Sequence, residues 1–200
     1  LLLRPLIELR ARQQRRFRTA LDLGCGTGLC APLLQPHCDA IDGVDISSEM
    51  LEQAAKLGLY RELVHADIGE FLSSRSSSPQ HAVDLVVAAD VLIYVGDPAA
   101  VFRGVARLLA PGGLFAFTVE LPSKTEEDKD LQLLPSLRYA HSERYVRRLA
   151  AQCGLDVDEL RAGPIRHEHS RPVPGLYVHL IQQSFLGAAL EPGARVGGCQ

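Results

Sequence analysis

Short apolar runs alternate along this chain with stretches whose apolar positions recur at helical spacing. Thr19–Leu23 reads as a buried strand that runs straight into three alternating glycines, Gly24, Gly26 and Gly28. The following helix includes Leu29, Leu33 and Leu34, and Pro32 and Pro36 keep it short. Ala40–Val44 predicts a second strand ending at Asp45, after which Ser47 or Ser48 caps a helix. That helix turns Met50, Leu51, Ala54 and Ala55 inward, although a flexible Met50 fits the border of a pocket equally well. Glu62–Ala66 predicts a third strand with Asp67 at its end, then a helical turn over 69–72 and a serine-rich surface loop over 73–80. Ala82–Ala88 is the clearest central strand. Beyond it, Pro98 opens a helix that faces the sheet through Val101, Val105 and Leu108 or Leu109. Pro111-Gly112-Gly113 then turns into a strand over Leu114–Val119.

The C-terminal part is less regular. The charged stretch Pro122–Asp130 predicts a loop, and Ser142 caps a helix carrying Tyr145, Val146, Leu149 and Cys153, closed by Gly154. Val157–Leu160 predicts a sixth strand, Arg166–Arg171 a polar segment, and Gly175–Gln182 a final strand with Leu176, Val178 and Leu180 on one face. The alternation as a whole predicts an α/β fold: a seven-stranded, mostly parallel sheet with helices on both faces and an antiparallel final strand. We expect one domain over 1–186 and a flexible tail over 187–200.

The bulk numbers narrow the field. Two hundred residues with 46% hydrophobic and 22% charged positions suit one globular domain, and a net charge of -3 gives no electrostatic support for nucleic-acid binding. Five irregularly spaced cysteines (Cys25, Cys30, Cys38, Cys153 and Cys199) suit reduced thiols in an intracellular, cytoplasmic setting and form no paired zinc pattern. No run reaches transmembrane length. The opening, with Leu2, Leu6 and Leu9 at helical spacing, starts without methionine, so native sequence before Leu1 is expected. Its arginines Arg10, Arg12, Arg15, Arg16 and Arg18 read as a solvated helix face or, alternatively, as part of a mitochondrial presequence.

The expected strand ends gather the chemistry. Parallel sheets bind ligands along their C-terminal edge, where Gly24–Gly28, Asp45, Asp67 and Ala89–Asp90 fall. The third glycine comes one residue too early for a dinucleotide fingerprint, and a phosphate loop would need a terminal Gly-Lys-Ser/Thr. Asp22 beside the loop opposes a pyrophosphate but suits a cationic or amine-bearing ligand; it can equally brace the loop. Asp45 can accept from two ribose hydroxyls, Ile46 and Met50 can border an adenine ring, and Asp67 with the Ile68 N–H can read the adenine edge.

These motifs resemble those of the class I, Rossmann-like, S-adenosylmethionine-dependent methyltransferases. DLGCGTG at Asp22–Gly28 is similar to their first motif, GVDIS at Gly43–Ser47 to the acidic-loop motif and HADI at His65–Ile68 to the adenine motif. DLVVAADVLIY at Asp84–Tyr94 and the LLxPGGxxxF pattern over Leu108–Phe117 complete the order, so the resemblance spans about 19–182. It implies S-adenosyl-L-methionine as cofactor, with Gly24, Cys25 and Gly26 around its methionine and ribose parts. Asp45 would hold the ribose, Ile46 would flank adenine, Asp67 and Ile68 would read it, and the Ala89 carbonyl would meet its ammonium. RYAHSERYV at Arg138–Val146 and RPVPGLYV at Arg171–Val178 resemble segments of bacterial methyltransferases often fused to tetratricopeptide repeats, but this chain carries no such repeats.

The resemblance implies direct methyl transfer to a small-molecule or protein acceptor, without metal. The acceptor-facing candidates are Tyr94, Tyr139 and His141, with Asp90 and Glu120 behind them. Tyr94 can orient an acceptor or pack beneath the next turn, and His141 can act as a base near neutrality or cap a helix. Ala88-Ala89-Asp90-Val91 lacks the prolines and stacking aromatic of base-methylating relatives, which argues against nucleic acid. His167 and His169 lack a third nearby ligand for a metal. The opposing reading is a catalytically silent cofactor-binding module for assembly or protein interaction.

Overall fold

The computed structural model describes residues 16–75, 82–123 and 129–183. Its strands are β1 (Phe17–Leu23), β2 (Cys38–Asp45), β3 (Glu62–His65), β4 (Val83–Ala88), β5 (Leu109–Glu120), β6 (Leu131–Leu133), β7 (Tyr139–His141), β8 (Leu155–Glu168) and β9 (Arg171–Gln182). The helices are α1 (Ala31–Leu34), α2 (Ser48–Ala55), α3 (Ile68–Ser74), α4 (Ala99–Leu108) and α5 (Glu143–Gln152). β3, β2, β1, β4 and β5 lie side by side in parallel, and β9 adds antiparallel to β5 with β8 beyond it.

Those seven strands form the expected sheet. The other two, β6 and β7, make an antiparallel ribbon joined to the end of β5 through Glu120 and Ala140. At three residues each they are too short to print an alternation, and β6 begins immediately after Asp130, the last residue of the expected loop.

The sheet separates two cores. On one face Phe102 of α4 packs edge-on against Phe115 and Phe117 of β5, with centroids 5.6 and 5.3 Å away. Phe71 of α3 and Tyr145 and Leu149 of α5 extend that cluster. On the other face Ala31 and Leu34 of α1 meet Phe17, Leu85, Leu114 and Tyr177. β9 is therefore buried on both faces, since Tyr177 and His179 are covered as well as Leu176, Val178 and Leu180.

Several local expectations are corrected. Leu29 precedes α1 and is 82% exposed, and Leu33 is exposed too, because the chain is still turning through Cys30 and Pro36 tightens the next residues into a 3₁₀ turn. Met50 and Ala55 do not enter the core; only Leu51 and Ala54 of α2 do. Pro111-Gly112-Gly113 is a bulge within β5, where the register jumps from Val83–Leu109 to Leu85–Leu114. Gly112 takes a φ of 72° there. The strand expected over Val157–Leu160 is fourteen residues long, and the polar segment Arg166–Arg171 is the tip of the β8–β9 hairpin. His169 and Ser170 both have positive φ, 48° and 63°, which matches the right-handed twist of the flanking strands. β8 hid because, on the sheet edge, it buries only Leu155 fully.

Ser73 and Ser74 end α3 rather than lying in a loop. The rest of that expected loop from 76 on, the opening helix over 1–15, residues 124–128 and the tail over 187–200 lie outside the described residues.

The aromatic triad anchors the larger core. Phe102→Ala should lower the unfolding free energy by about 3–5 kcal/mol, read from the urea midpoint at unchanged slope.

Candidate active site

The glycine loop leaves β1 with three left-handed residues, Gly24, Gly26 and Gly28, at φ of 64°, 54° and 86°. Two of them are packed from behind. A Cβ on Gly24 would meet Val91 Cγ2 at 2.2 Å, and one on Gly28 would meet Leu57 Cδ1 at 2.7 Å. Gly26 faces open space instead, with only the Met50 sulfur 3.7 Å from where its Cβ would be. Met50, 47% exposed, thus flanks the loop rather than filling the core.

Asp45, at the end of β2, holds this loop. Its Oδ2 accepts from the Gly26 N–H at 2.8 Å and its Oδ1 from the Ser47 N–H at 2.9 Å. A carboxylate has about four acceptor positions, so these two bonds do not exhaust its capacity. Ile46 beside it is 69% exposed, and its carbonyl is bonded to His65 Nε2 at 2.9 Å. Asp67 caps α3, with Oδ1 accepting from the Gly69 and Glu70 N–H groups at 2.7 and 3.1 Å, and Ile68 opens that helix. Cys25 is buried, and burial pushes its thiol, like those of Cys30 and Cys38, up to about 12, so none is a ready nucleophile. Among the described residues there is no cluster of three metal-ligating side chains.

Asp22 lies under the loop and is 1% exposed. Tyr60, which precedes β3, donates its hydroxyl to Asp22 Oδ2 at 2.8 Å. Burial raises the Asp22 carboxyl to about 7; Tyr60 opposes that rise and Asp45 adds to it. Tyr60 carries no mark of this role in the sequence. The available signal was Gly43, whose absent side chain leaves room for the Tyr60 ring 2.9 Å from the Cβ position.

Past β4 the chain carries the acceptor-side candidates. Ala89 is half-buried, and Asp90 is left-handed at φ 56°, its N–H donating to Thr118 Oγ1 at 2.9 Å. Tyr94 is 64% exposed, with the Arg138 guanidinium 6.0 Å from its ring centre. His141 is set apart from these. It ends β7, fully buried, with Nε2 on the Gly96 carbonyl at 2.9 Å and its ring stacked on Tyr145. Burial lowers its pKa, which keeps the ring neutral. Tyr139 packs against Gly96, whose Cβ position lies 3.3 Å from the ring.

Arg166, unmarked in sequence because it sits in a polar stretch far along the chain, joins this group. From β8 it donates to Asp90 Oδ1 at 2.7 Å, to Glu168 Oε1 at 2.8 Å and to Glu120 Oε1. Arg138 pairs with Glu168. The guanidinium side chain is 16% exposed, and although burial works against its charge, the three carboxylates hold its pKa above the usual arginine value. The β4 end, the β5 end and the β8–β9 hairpin are thereby tied together over the C-terminal edge of the sheet.

Comparison with known proteins agrees with this fold. A family model described as a methyltransferase domain matches residues 1–160. The ubiquinone biosynthesis O-methyltransferase of Thiobacillus denitrificans is 30% identical over 156 residues, 72% of this chain and 66% of that protein. The trans-aconitate 2-methyltransferase of an Enterobacter species is 36% identical over 62% of this chain and 47% of its own length. The chain spans only 42% to 66% of the first three ubiquinone methyltransferases it matches, from Thiobacillus, Serratia and Citrobacter. Among solved structures, the N-methyltransferase NodS of Bradyrhizobium japonicum with S-adenosylhomocysteine superposes with TM-score 0.66 at 20% identity, over 90% of this chain and 85% of that one. A magnesium protoporphyrin IX methyltransferase from Synechocystis with bound S-adenosylmethionine gives 0.63 at 18% identity, covering 90% and 78%.

Arg166 is the counter-charge of a buried Glu120. Arg166→Met should cost about 3–5 kcal/mol in chemical denaturation, and adding Glu120→Gln should recover part of that loss.

Proposed function

The chain belongs to the methyltransferase-domain family, and on that premise we propose that it transfers a methyl group from S-adenosylmethionine to a small-molecule or protein nucleophile. The observation that carries this reading is the clasp of Asp45 on the Gly26 N–H beside open space above Gly26. A nucleoside needs paired acceptors for its ribose hydroxyls and a backbone that it can approach closely, and the Asp45 carboxylate beside Gly26 supports that reading.

When bound, the cofactor supplies a sulfonium methyl group open to direct in-line displacement. Asp45 would accept from the ribose hydroxyls on the positions its backbone bonds leave free. Ile46 and Met50 would border the adenine, and Asp67 with the Ile68 N–H would read its edge. Gly24 and Cys25 line the loop, and the Ala89 carbonyl would receive the ammonium. On the acceptor side the exposed Asp90 and Tyr94 would orient the nucleophile, with Arg166 holding Asp90 in place. This positioning accounts for most of what the protein adds to such a displacement. His141, buried against Gly96, would act by fixing the turn at 95–97 rather than as the base.

Two finer inferences accompany this. The segments Arg138–Val146 and Arg171–Val178 support kinship with methyltransferases fused to tetratricopeptide repeats. The free thiols of Cys25, Cys30, Cys38 and Cys153 favour a reducing compartment such as the cytoplasm.

Asp45→Ala should weaken S-adenosylmethionine at least tenfold in calorimetry while the circular dichroism stays native; unchanged affinity removes Asp45 from the ribose. Gly26→Val should abolish binding, because a branched side chain there is strained and occupies the open space. Incubating cell extract with labelled cofactor and purified protein, then counting the protein, nucleic-acid and small-molecule fractions, identifies the acceptor class. Label in none of them would leave a binding module.

A further inference from the structure

Beneath the glycine loop Asp22, a candidate for the cationic part of the cofactor, is paired with Tyr60, a residue that the proposed cofactor contacts do not use. Asp22 is buried on β1, and its carboxylate accepts the Tyr60 hydroxyl at 2.8 Å. The tyrosine is held by space as much as by that bond. Its ring lies 3.0 Å from the Cβ position of Gly28 and 2.9 Å from that of Gly43, so it threads between β2 and the loop. Both contacts require glycine at the facing position.

The groups that act on Asp22 are Tyr60 before β3, Asp45 at the end of β2, and Cys25 and Cys30 on the loop. Asp45 is a like charge and the two thiols stay protonated. Tyr60 is therefore the group among them that favours the ionised carboxylate. A carboxylate so placed, with no cation among those partners, is charged at a cost that a positively charged ligand above the loop would lower.

We propose that Tyr60 is a positioning residue that sets the charge state of Asp22 and through it makes the affinity for a cationic cofactor rise with pH. The inference rests on the proposal that S-adenosylmethionine occupies this loop. A sulfonium bearing an ammonium group draws the proton off Asp22 as it binds, so binding releases a proton below neutrality. The direction follows from the carboxyl's ordinary position being displaced upward by burial: ionised Asp22 becomes more common as pH rises through about 7, and affinity rises with it.

The test is calorimetric titration of S-adenosylmethionine into the wild type, Tyr60→Phe and Asp22→Asn at pH 6.0, 6.8 and 7.5, each in two buffers of different ionisation enthalpy. The wild type should bind several-fold more tightly at the highest pH than at the lowest, with buffer-dependent heats that report proton release. Tyr60→Phe keeps the ring that fills the space by Gly28 and Gly43, so it should melt close to wild type. Its affinity at pH 6.0 should fall about tenfold, the equivalent of one pKa unit, and its rise should move to higher pH. Asp22→Asn should bind with a flat profile and release no proton. A wild type that binds with no pH dependence, or a Tyr60→Phe profile superimposable on the wild type, overturns this inference and leaves the cofactor proposal standing. A wild type that binds no S-adenosylmethionine at any of these pH values overturns both.

Discussion

The Asp45 carboxylate is the interaction on which the candidate site depends. By accepting from the Gly26 and Ser47 N–H groups it welds the loop after β1 to the turn after β2. Backbone donors at a tight left-handed loop have few partners of their own, and a charged acceptor satisfies them more strongly than a neutral one. Around that weld the Cys25 N–H bonds the Val44 carbonyl at 3.0 Å and the Ala66 N–H bonds the Asp45 carbonyl at 3.0 Å. Three neighbouring strand ends of the parallel sheet therefore hold one another in place, and the rim that would receive a nucleoside is preorganised before any ligand arrives.

A second assembly organises the opposite side of the same edge. Glu120 is nearly out of contact with water, and Arg166 reaches it from β8, a strand far later in the chain. The same guanidinium fixes Asp90, whose left-handed backbone is also held by Thr118. The two sides differ in kind. The proposed nucleoside side is built from backbone geometry and single carboxylates, whereas the proposed acceptor side is built from paired charges on long side chains.

Legibility in the sequence divides along the same line. β1, β2, β4 and their glycines were recognisable because a strand buried on both faces prints a continuous apolar run and a left-handed turn demands glycine. Asp45 was recognisable because it closes such a strand, and Asp67 because it follows the short apolar stretch of β3. β6 and β7 were not, being too short for a period, and most of β8 was not, because an edge strand has little reason to alternate. Tyr60 and Arg166 were hidden for a related reason. Each acts on a residue distant in the chain, Asp22 and Asp90 respectively, through a register that only the folded sheet establishes. His141 carried the opposite risk: its chemistry allows a base or a cap, and the structure buries it with Nε2 on the Gly96 carbonyl.

The long hairpin has a consequence for how molecules of this protein meet. A nine-stranded sheet offers unpaired backbone at its margins, which is the usual route to strand exchange and fibril growth. Here β8, the longest margin among the described residues, is broken by register shifts at Val157/Glu159 and Pro164/Arg166 and carries Asp156, Asp158, Glu159 and Arg161. Pro164 lacks a backbone donor and sits where the register shifts, and the charges must be stripped of water before a foreign strand could lie alongside. At the other margins β3 offers only four residues and β6 only three. The architecture thus shields each of these edges from edge-to-edge polymerisation.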